Sequence, residues 1–553
     1  MSELKTTELP LSSAERKPGD PGALGEFLGN LLGFPRIFRN SVVRHGAPTS
    51  DRAKSESVMS NFFLHVLAVR IHTHSLKLTT TLGLGIVTLA LFVLLTFTGI
   101  LLMVYYKPSV DQAYDSMKDI MFVVPTGRFI RNIHRWSAHA MVACVILHMA
   151  RVFYTASYKK PREFNWILGM ILFVLTLALS FTGYLLPWDQ LAFWAITIGA
   201  NIAQSPREIT DALGITQFFD PGEMQKELLL GAHYVGQEAL TRFYVLHVMV
   251  LPLLATIVIA VHMWRLRKDG GLARPSSADE TTEGESTSTL ERSRGFNLIP
   301  PMGMNPLLRE KSREDRDKAP LKTWGLMAVV KGKTPAVDKE LTNTVPAYPH
   351  ALYAIAALTM LTTAVMLLLG YLFDAPLKEM ANPAVPENPA KAPWYFLGLQ
   401  EMVGYSAFMG GVGIPSLVIL GLALIPYLDR EREDSGVWFS GTSGRRVALV
   451  SFLYGLAVTV GILVFTVRYG WLREWYPAIP QLVITAINPG TVIVLAFAVW
   501  SILTVVYTRS TRMGAIALFT CFLISFAILT YFATVHRGPN WDFYWLPSQW
   551  PTH

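Results

Sequence analysis

RNIHRWSAHAMVACVILHMAR, residues Arg131–Arg151, and LTRFYVLHVMVLPLLATIVIAVHMWRLRK, residues Leu240–Lys268, decide how this chain is built. Each is an apolar run that carries two histidines. His134 and His148 stand fourteen residues apart, His247 and His262 fifteen apart. A polar side chain inside a membrane-spanning helix is costly and needs a reason. At about 100° per residue, fourteen residues return a side chain to within about 40° of its start and fifteen to within about 60°. Each pair therefore shares a helix face, on two levels separated by roughly 21 Å. If the two helices face one another antiparallel, His134 meets His247 and His148 meets His262.

Neutral imidazole is a standard axial ligand of haem iron. The pattern predicts two stacked bis-histidine b-haems across the low-dielectric core, an arrangement suited to transmembrane electron transfer. Separate histidines satisfied by helix neighbours are the alternative, and matched spacing on two opposed helices argues against it. Gly85 and Gly99, and Gly169 and Gly183, repeat the fourteen-residue interval on the two helices without histidine pairs. A bare Cα lets a flat macrocycle approach the backbone, although small-residue packing also selects glycine. Haem propionates need cationic partners, and Arg131, Arg135, Arg151 and Arg267 flank the histidines. For Arg151 and Arg267, topology charge at a helix end serves equally well.

The rest of the chain fits a polytopic membrane protein. Of 553 residues, 51% are hydrophobic and only 16% charged, against about 25% charged in ordinary soluble domains. Nine segments are long and apolar enough to span: 79–106, 132–156, 164–187, 242–265, 349–373, 411–428, 447–467, 489–507 and 513–535. Alternating them from a cytoplasmic N-terminus puts 35 Lys and Arg on the cytoplasmic side and 11 opposite, or 20 against 11 without the longest linker. That is the positive-inside bias, so the net charge of +8 marks orientation and not nucleic-acid binding. Cys144 and Cys521 form no CxxC or CxxCH, which disfavours a disulfide framework, a zinc site and c-type haem attachment. No apolar core follows a basic start, so no cleavable signal peptide is expected.

Three stretches resemble the cytochrome b/b6 family: the two quoted above and Lys159–Trp194, KKPREFNWILGMILFVLTLALSFTGYLLPWDQLAFW. The fifteen-residue interval is similar to the b6 branch, and the second membrane block resembles subunit IV or the C-terminal half of cytochrome b. The resemblance covers about residues 60–430. It implies that His134 and His247 hold the haem near the positive side (b-low), and His148 and His262 the one near the negative side (b-high). It further implies quinol oxidation at the positive side. One electron then goes to a Rieske iron–sulfur protein and on to a c-type cytochrome. The other crosses both haems to a quinone on the negative side. The family's Pro-Glu-Trp-Tyr loop reads Ala392-Pro393-Trp394-Tyr395 here, so the proton-accepting glutamate is missing. Glu401 is the candidate substitute, with a solvated or helix-capping carboxylate as the other reading; Glu387 and Asp189 are further options. Tyr395 is read either as a quinol partner or as an interfacial aromatic. The cysteine that holds an extra haem in b6 proteins has no counterpart in Leu76–Leu82, so no covalent haem is expected. His139 and His233 receive no role.

The expectation is an all-α transmembrane bundle of about nine spans, a four-helix dihaem bundle plus a second helical block. Its divisions are a polar tail (1–60), the dihaem bundle with an interfacial amphipathic helix over Asn61–Leu78 (61–267), and a partly disordered polar linker (268–348). A quinol-site block (349–430) and additional helices with a tail (431–553) follow. As a cytochrome b subunit it would sit in a bacterial inner membrane in contact with lipid and quinone, and the resemblance implies a homodimeric complex. A dihaem anchor exchanging electrons between quinone and a dehydrogenase without bifurcation is the second reading. A haem-free transporter is a third, and it has no use for paired histidines.

Overall fold

The computed structural model describes residues 48–61, 67–275, 343–431 and 435–551, with residues 28–29, 31–36, 39 and 64 besides. Most of the polar tail, and the linker stretch expected to be disordered, lie outside the described residues. Among the described residues, nine helices are long and apolar enough to cross a membrane, and the chain is an integral membrane protein. The helices used below are α1 (Leu84–Met103), α2 (Gly127–Tyr154), α3 (Glu163–Leu185), α4 (Gln190–Gln204), α5 (Gln237–Lys268) and α6 (Ala347–Leu372). They continue with α7 (Trp394–Tyr405), α8 (Met409–Leu428), α9 (Thr442–Tyr469), α10 (Pro489–Thr508) and α11 (Thr511–Val535). All but α4 and α7 are the spanning helices.

Local chemistry fixes their ends. Asn488 and Ser510 accept from the backbone N–H of Thr491 and Met513, capping α10 and α11, and Pro489 sits in the first turn of α10, where its missing N–H costs nothing. Inside α5, Leu246–Val250 form a π-turn in which Leu251 N–H reaches back to Leu246 O. Pro252 follows and cannot donate to the carbonyl four residues back, so the wider turn lies where α-helical bonding is interrupted. α8 opens the same way, with a π-turn at Met409–Gly413 ahead of Pro415. Apolar side chains such as Val93, Phe97 and Ile100 on α1 and Leu449, Leu453 and Val464 on α9 stay exposed, as a lipid-facing surface requires.

α1 lies along α2, α3 lies along α5, and α6 packs on α1 and α2; α9, α10 and α11 form a second group in which α11 runs against α7. Two polar clips join the halves. At one end Tyr158 OH donates to Asp429 Oδ2 at 2.6 Å, and Lys159 Nζ stands 3.1 Å from Asp429 Oδ1. The wholly buried Arg512 donates to Tyr158 OH and Phe153 O, both at 2.8 Å. At the other end Arg128 pairs with Asp374, and Asn132 Nδ2 donates to Gly370 O at 3.0 Å.

The segment expected as one amphipathic helix over Asn61–Leu78 differs. Its described residues include a strand, β1 (Arg70–His72), paired antiparallel with β2 (Thr344–Pro346), and short helical turns at Thr73–Leu76 and Leu78–Thr81. Leu67, Val69 and Ile71 alternate with polar or small residues and pack against Val58, Ala347 and Ala351. That is the two-residue period of a strand. Its partner comes from the far end of the linker, which no local reading supplies.

Candidate functional site

The four histidines of α2 and α5 are brought together. The imidazoles of His134 and His247 have centroids 6.3 Å apart. Two rings on opposite sides of one metal, each bonded at about 2 Å, need centroids about 6 Å apart. The fifteen-residue interval is explained by the π-turn: it absorbs one residue, so His247 and His262 take the angular relation of a fourteen-residue pair.

Second partners orient the His134 and His247 rings. His247 Nδ1 stands 3.0 Å from Leu179 O, which can only accept, so Nδ1 carries the proton and Nε2 keeps its lone pair. Thr98 Oγ1 donates to Leu94 O at 2.8 Å and therefore accepts from His134 Nδ1 at 2.9 Å. The same tautomer results, the one a metal-binding Nε2 needs. Thr182 Oγ1 lies 3.4 Å from His247 Nδ1. Both threonines belong to a repeated Phe-Thr-Gly, Phe97–Gly99 and Phe181–Gly183, a sequence signal overlooked beside the glycines.

Each glycine of the expected quartet faces one histidine. A Cβ on Gly99 would stand 3.3 Å from His134 Cε1, on Gly85 3.4 Å from His148 Cε1, and on Gly169 3.9 Å from His262 Cε1. On Gly183 it would overlap the His247 imidazole. The bare Cα thus gives room to the imidazole itself. All eight residues line one cavity of about 1000 Å³ between the helices. Three buried polar atoms along it, His148 Nδ1, His262 Nδ1 and Arg151 Nη2, have no hydrogen-bond partner among the described residues. A buried, unpaired guanidinium nitrogen calls for an anion. Donor set, glycine cradle and the orphaned Arg151 nitrogen fit a haem with propionates.

The other arginines also line this cavity and are differently engaged. Arg131 donates to Ala375 O at 2.6 Å and Pro376 O at 2.7 Å. Arg135 lies over the Tyr184 ring, 5.4 Å from its centroid. Arg267 Nη2 approaches Met59 Sδ at 3.8 Å.

Trp394 and Tyr395 open α7. Tyr395 lines the large cavity, and Pro393 and Phe396 line a second, apolar one of about 360 Å³ between α3, α4 and α7. Burial raises the Tyr395 hydroxyl pKa above its usual value. The carboxylates expected to replace the missing glutamate are spent elsewhere. Glu401 is fully buried and accepts from Arg537 at 2.5 and 2.9 Å, Tyr405 OH at 2.7 Å and Trp541 Nε1 at 3.0 Å. It lines neither cavity. With all its lone-pair directions used, it is a structural anchor for the C-terminal tail. Asp189 caps α4 through Ala192 N at 2.9 Å and accepts Lys378 N at 3.0 Å, again a structural role. Glu387 pairs with Lys378 at 2.8 Å. The overlooked residue is His139, which lines the large cavity beside Tyr395, their centroids 5.8 Å apart. His233 pairs with Glu227 at 2.9 Å on the surface.

Residues 70–270 match the family model described as Cytochrome b/b6/petB. Cytochrome b6 of Heliomicrobium gestii is 43% identical over 187 residues, which are 34% of this chain and 82% of that protein. A solved structure titled Hyperthermophilic respiratory Complex III is similar with a TM-score of 0.50 and 22% identity, over 82% of this chain and 91% of that one. This last is a likeness of fold.

Proposed function

The chain belongs to the cytochrome b/b6 family, whose members bind haem b, and on that footing we propose that it is the cytochrome b subunit of a bc-type quinol:cytochrome c oxidoreductase. His134 with His247 and His148 with His262 would hold two haems, with Gly85, Gly99, Gly169 and Gly183 making room. Arg151, and with it Arg131, Arg135 and Arg267, would meet propionates. When bound, the haems supply one-electron carriers at two depths of the membrane. The chain's own part is to fix ring tautomers through Leu179 and Thr98, and to keep water out of the path with apolar helices. A quinol would enter near Trp394 and Tyr395 on the positive side. One electron would go to a Rieske protein and a c-type cytochrome, the other through the haems to a quinone on the negative side.

The observation that carries this reading is the convergence of four histidines, each opposed by a glycine, around one cavity. The division into a dihaem unit (61–267), a linker (268–348), a quinol-site unit (349–430) and a further helical unit (431–553) belongs to the same proposal. So do the bacterial inner membrane, a cytoplasmic N-terminus and a homodimeric complex. Purification of the complex tests it. A Rieske protein should co-purify, and quinol-driven reduction of cytochrome c should stop with an inhibitor of the positive-side site. Isolation with a dehydrogenase and no Rieske protein would favour the second reading, a dihaem anchor without bifurcation. Pro393 in the glutamate position, with Glu401 and Asp189 both engaged, is the observation that keeps that reading open.

A further inference from the structure

His139 lies on α2 five residues beyond His134, about 140° round the helix from it, and faces α7. Trp394 Nε1 stands 3.1 Å from its Nδ1, and Arg135 Nε 3.2 Å from its Nε2. Indole and guanidinium nitrogens here are donors only, whereas a neutral imidazole has one lone pair and one N–H. Only one of the two contacts can therefore be a hydrogen bond. The Trp394 ring is the rigid partner, fixed at the first turn of α7 and set nearly perpendicular to the Tyr395 ring, centroids 5.4 Å apart. Arg135 reaches from the preceding turn of the same helix on a flexible stem. With Nδ1 accepting from Trp394, Nε2 carries the proton. His139 Nε2–H and Arg135 Nε–H then point at one another beside the cavity that both residues line. Two donors face to face in a half-buried place are unsatisfied until a shared acceptor comes up beside them, within hydrogen-bond reach of both.

We propose that His139 and Arg135 form a two-donor clamp for an oxygen acceptor, with Trp394 setting the His139 tautomer. The ligand chemistry is a carbonyl or anionic oxygen. It comes either from the ring of a quinone or quinolate reaching past Tyr184 and Tyr395, or from a haem propionate. The clamp binds and orients; no bond is made or broken at it. It gives the tryptophan of the Pro-Trp-Tyr sequence a task in a chain that carries Pro393 in the motif's glutamate position. The proposal rests on the reading of the site as quinol- and haem-bearing.

The test uses the whole complex, carrying His139→Leu, His139→Gln or Trp394→Phe, with visible haem spectra as the check on assembly. Duroquinol and 2,3-dimethyl-1,4-naphthoquinol are oxidised in parallel, and the b-haems are titrated potentiometrically. A hydrogen bond to a charged or strongly polarised oxygen corresponds to roughly 10- to 100-fold in binding. If the oxygen belongs to the quinone, His139→Leu raises the quinol KM at least about tenfold and leaves both haem potentials in place. If it belongs to a propionate, one haem potential moves and KM stays. In either case His139→Gln, which keeps an N–H, restores most of the loss. Trp394→Phe, which frees the tautomer, shifts the same quantity less. Unchanged KM and unchanged potentials in an assembled His139→Leu complex overturn the clamp while leaving the broader reading intact. A wild-type complex with haem but no quinol oxidation and no propionate effect overturns the clamp together with the quinol reading.

Discussion

Single residues carry most of the chemistry, and the glycines give the sharpest contrast among them. Gly183 leaves no room for a Cβ beside His247, whereas Gly169 stands at ordinary contact distance from His262. Gly183→Ala should therefore lose or markedly shift one b-haem in a redox difference spectrum, and Gly169→Ala should keep both. Equal behaviour of the two variants would contradict the glycine–imidazole pairing. Histidine and glycine intervals were legible in the sequence because a helix repeats its face at fixed steps. The carboxylates were not. Glu401 follows Trp394 by seven residues and looks available as a base, yet Arg537, far along the chain, claims it. Removing one partner of a buried ion pair costs about 3–5 kcal/mol. Glu401→Gln should thus lower thermal stability, and so should Arg537→Gln, with the double variant well short of additive. A Glu401→Gln complex that is stable but unable to oxidise quinol would instead restore the proton-acceptor role.

At the scale of the element, the π-turn of α5 turns an awkward interval into a matched one. It holds one residue more than an α-helix needs, so deleting Met249 should let α5 close into regular helix with His247 and His262 still on one face. Deleting Ile259, inside the regular part, should rotate His262 by about 100° and remove its haem. Haem content of the two deletion variants decides between these outcomes. The segment after α6 offers a second test. Hydrogen bonds from Arg128 and Asn132 hold the Asp374 carboxyl below its usual pKa. A depressed folded-state pKa stabilises above the unfolded value, and the gain fades as pH falls through the folded one. Proteolysis of the 374–392 segment should therefore quicken only below the ordinary carboxylate range, and Asp374→Asn should be cleaved faster at neutral pH with little further pH response. Neither device was legible beforehand: a π-turn leaves the same apolar composition as an α-helix. β1 likewise hid in a basic, apolar stretch, because its partner β2 lies beyond the linker.

For the molecule as a whole, nine apolar segments read from composition correspond to nine spanning helices among the described residues, since lipid demands long apolar runs wherever a helix crosses. What composition could not convey is why the chain continues past residue 430. α11 packs along α7, and the tail's Arg537 and Trp541 grip Glu401 at its centre, so the last helices brace the element that presents Trp394 and Tyr395. The bundle, the glycine cradle and the His134 and His247 tautomers support the proposal's central claim, that two irons would sit between α2 and α5, each joined to one histidine from either helix. Haem content per chain, measured by pyridine haemochrome on purified wild type, His247→Ala and His262→Ala, tests that claim most directly. The account predicts two b-haems in the wild type and one in each variant, with the surviving haem of different potential in the two. A wild type with fewer than two b-haems, or variants that keep the full complement, would contradict it.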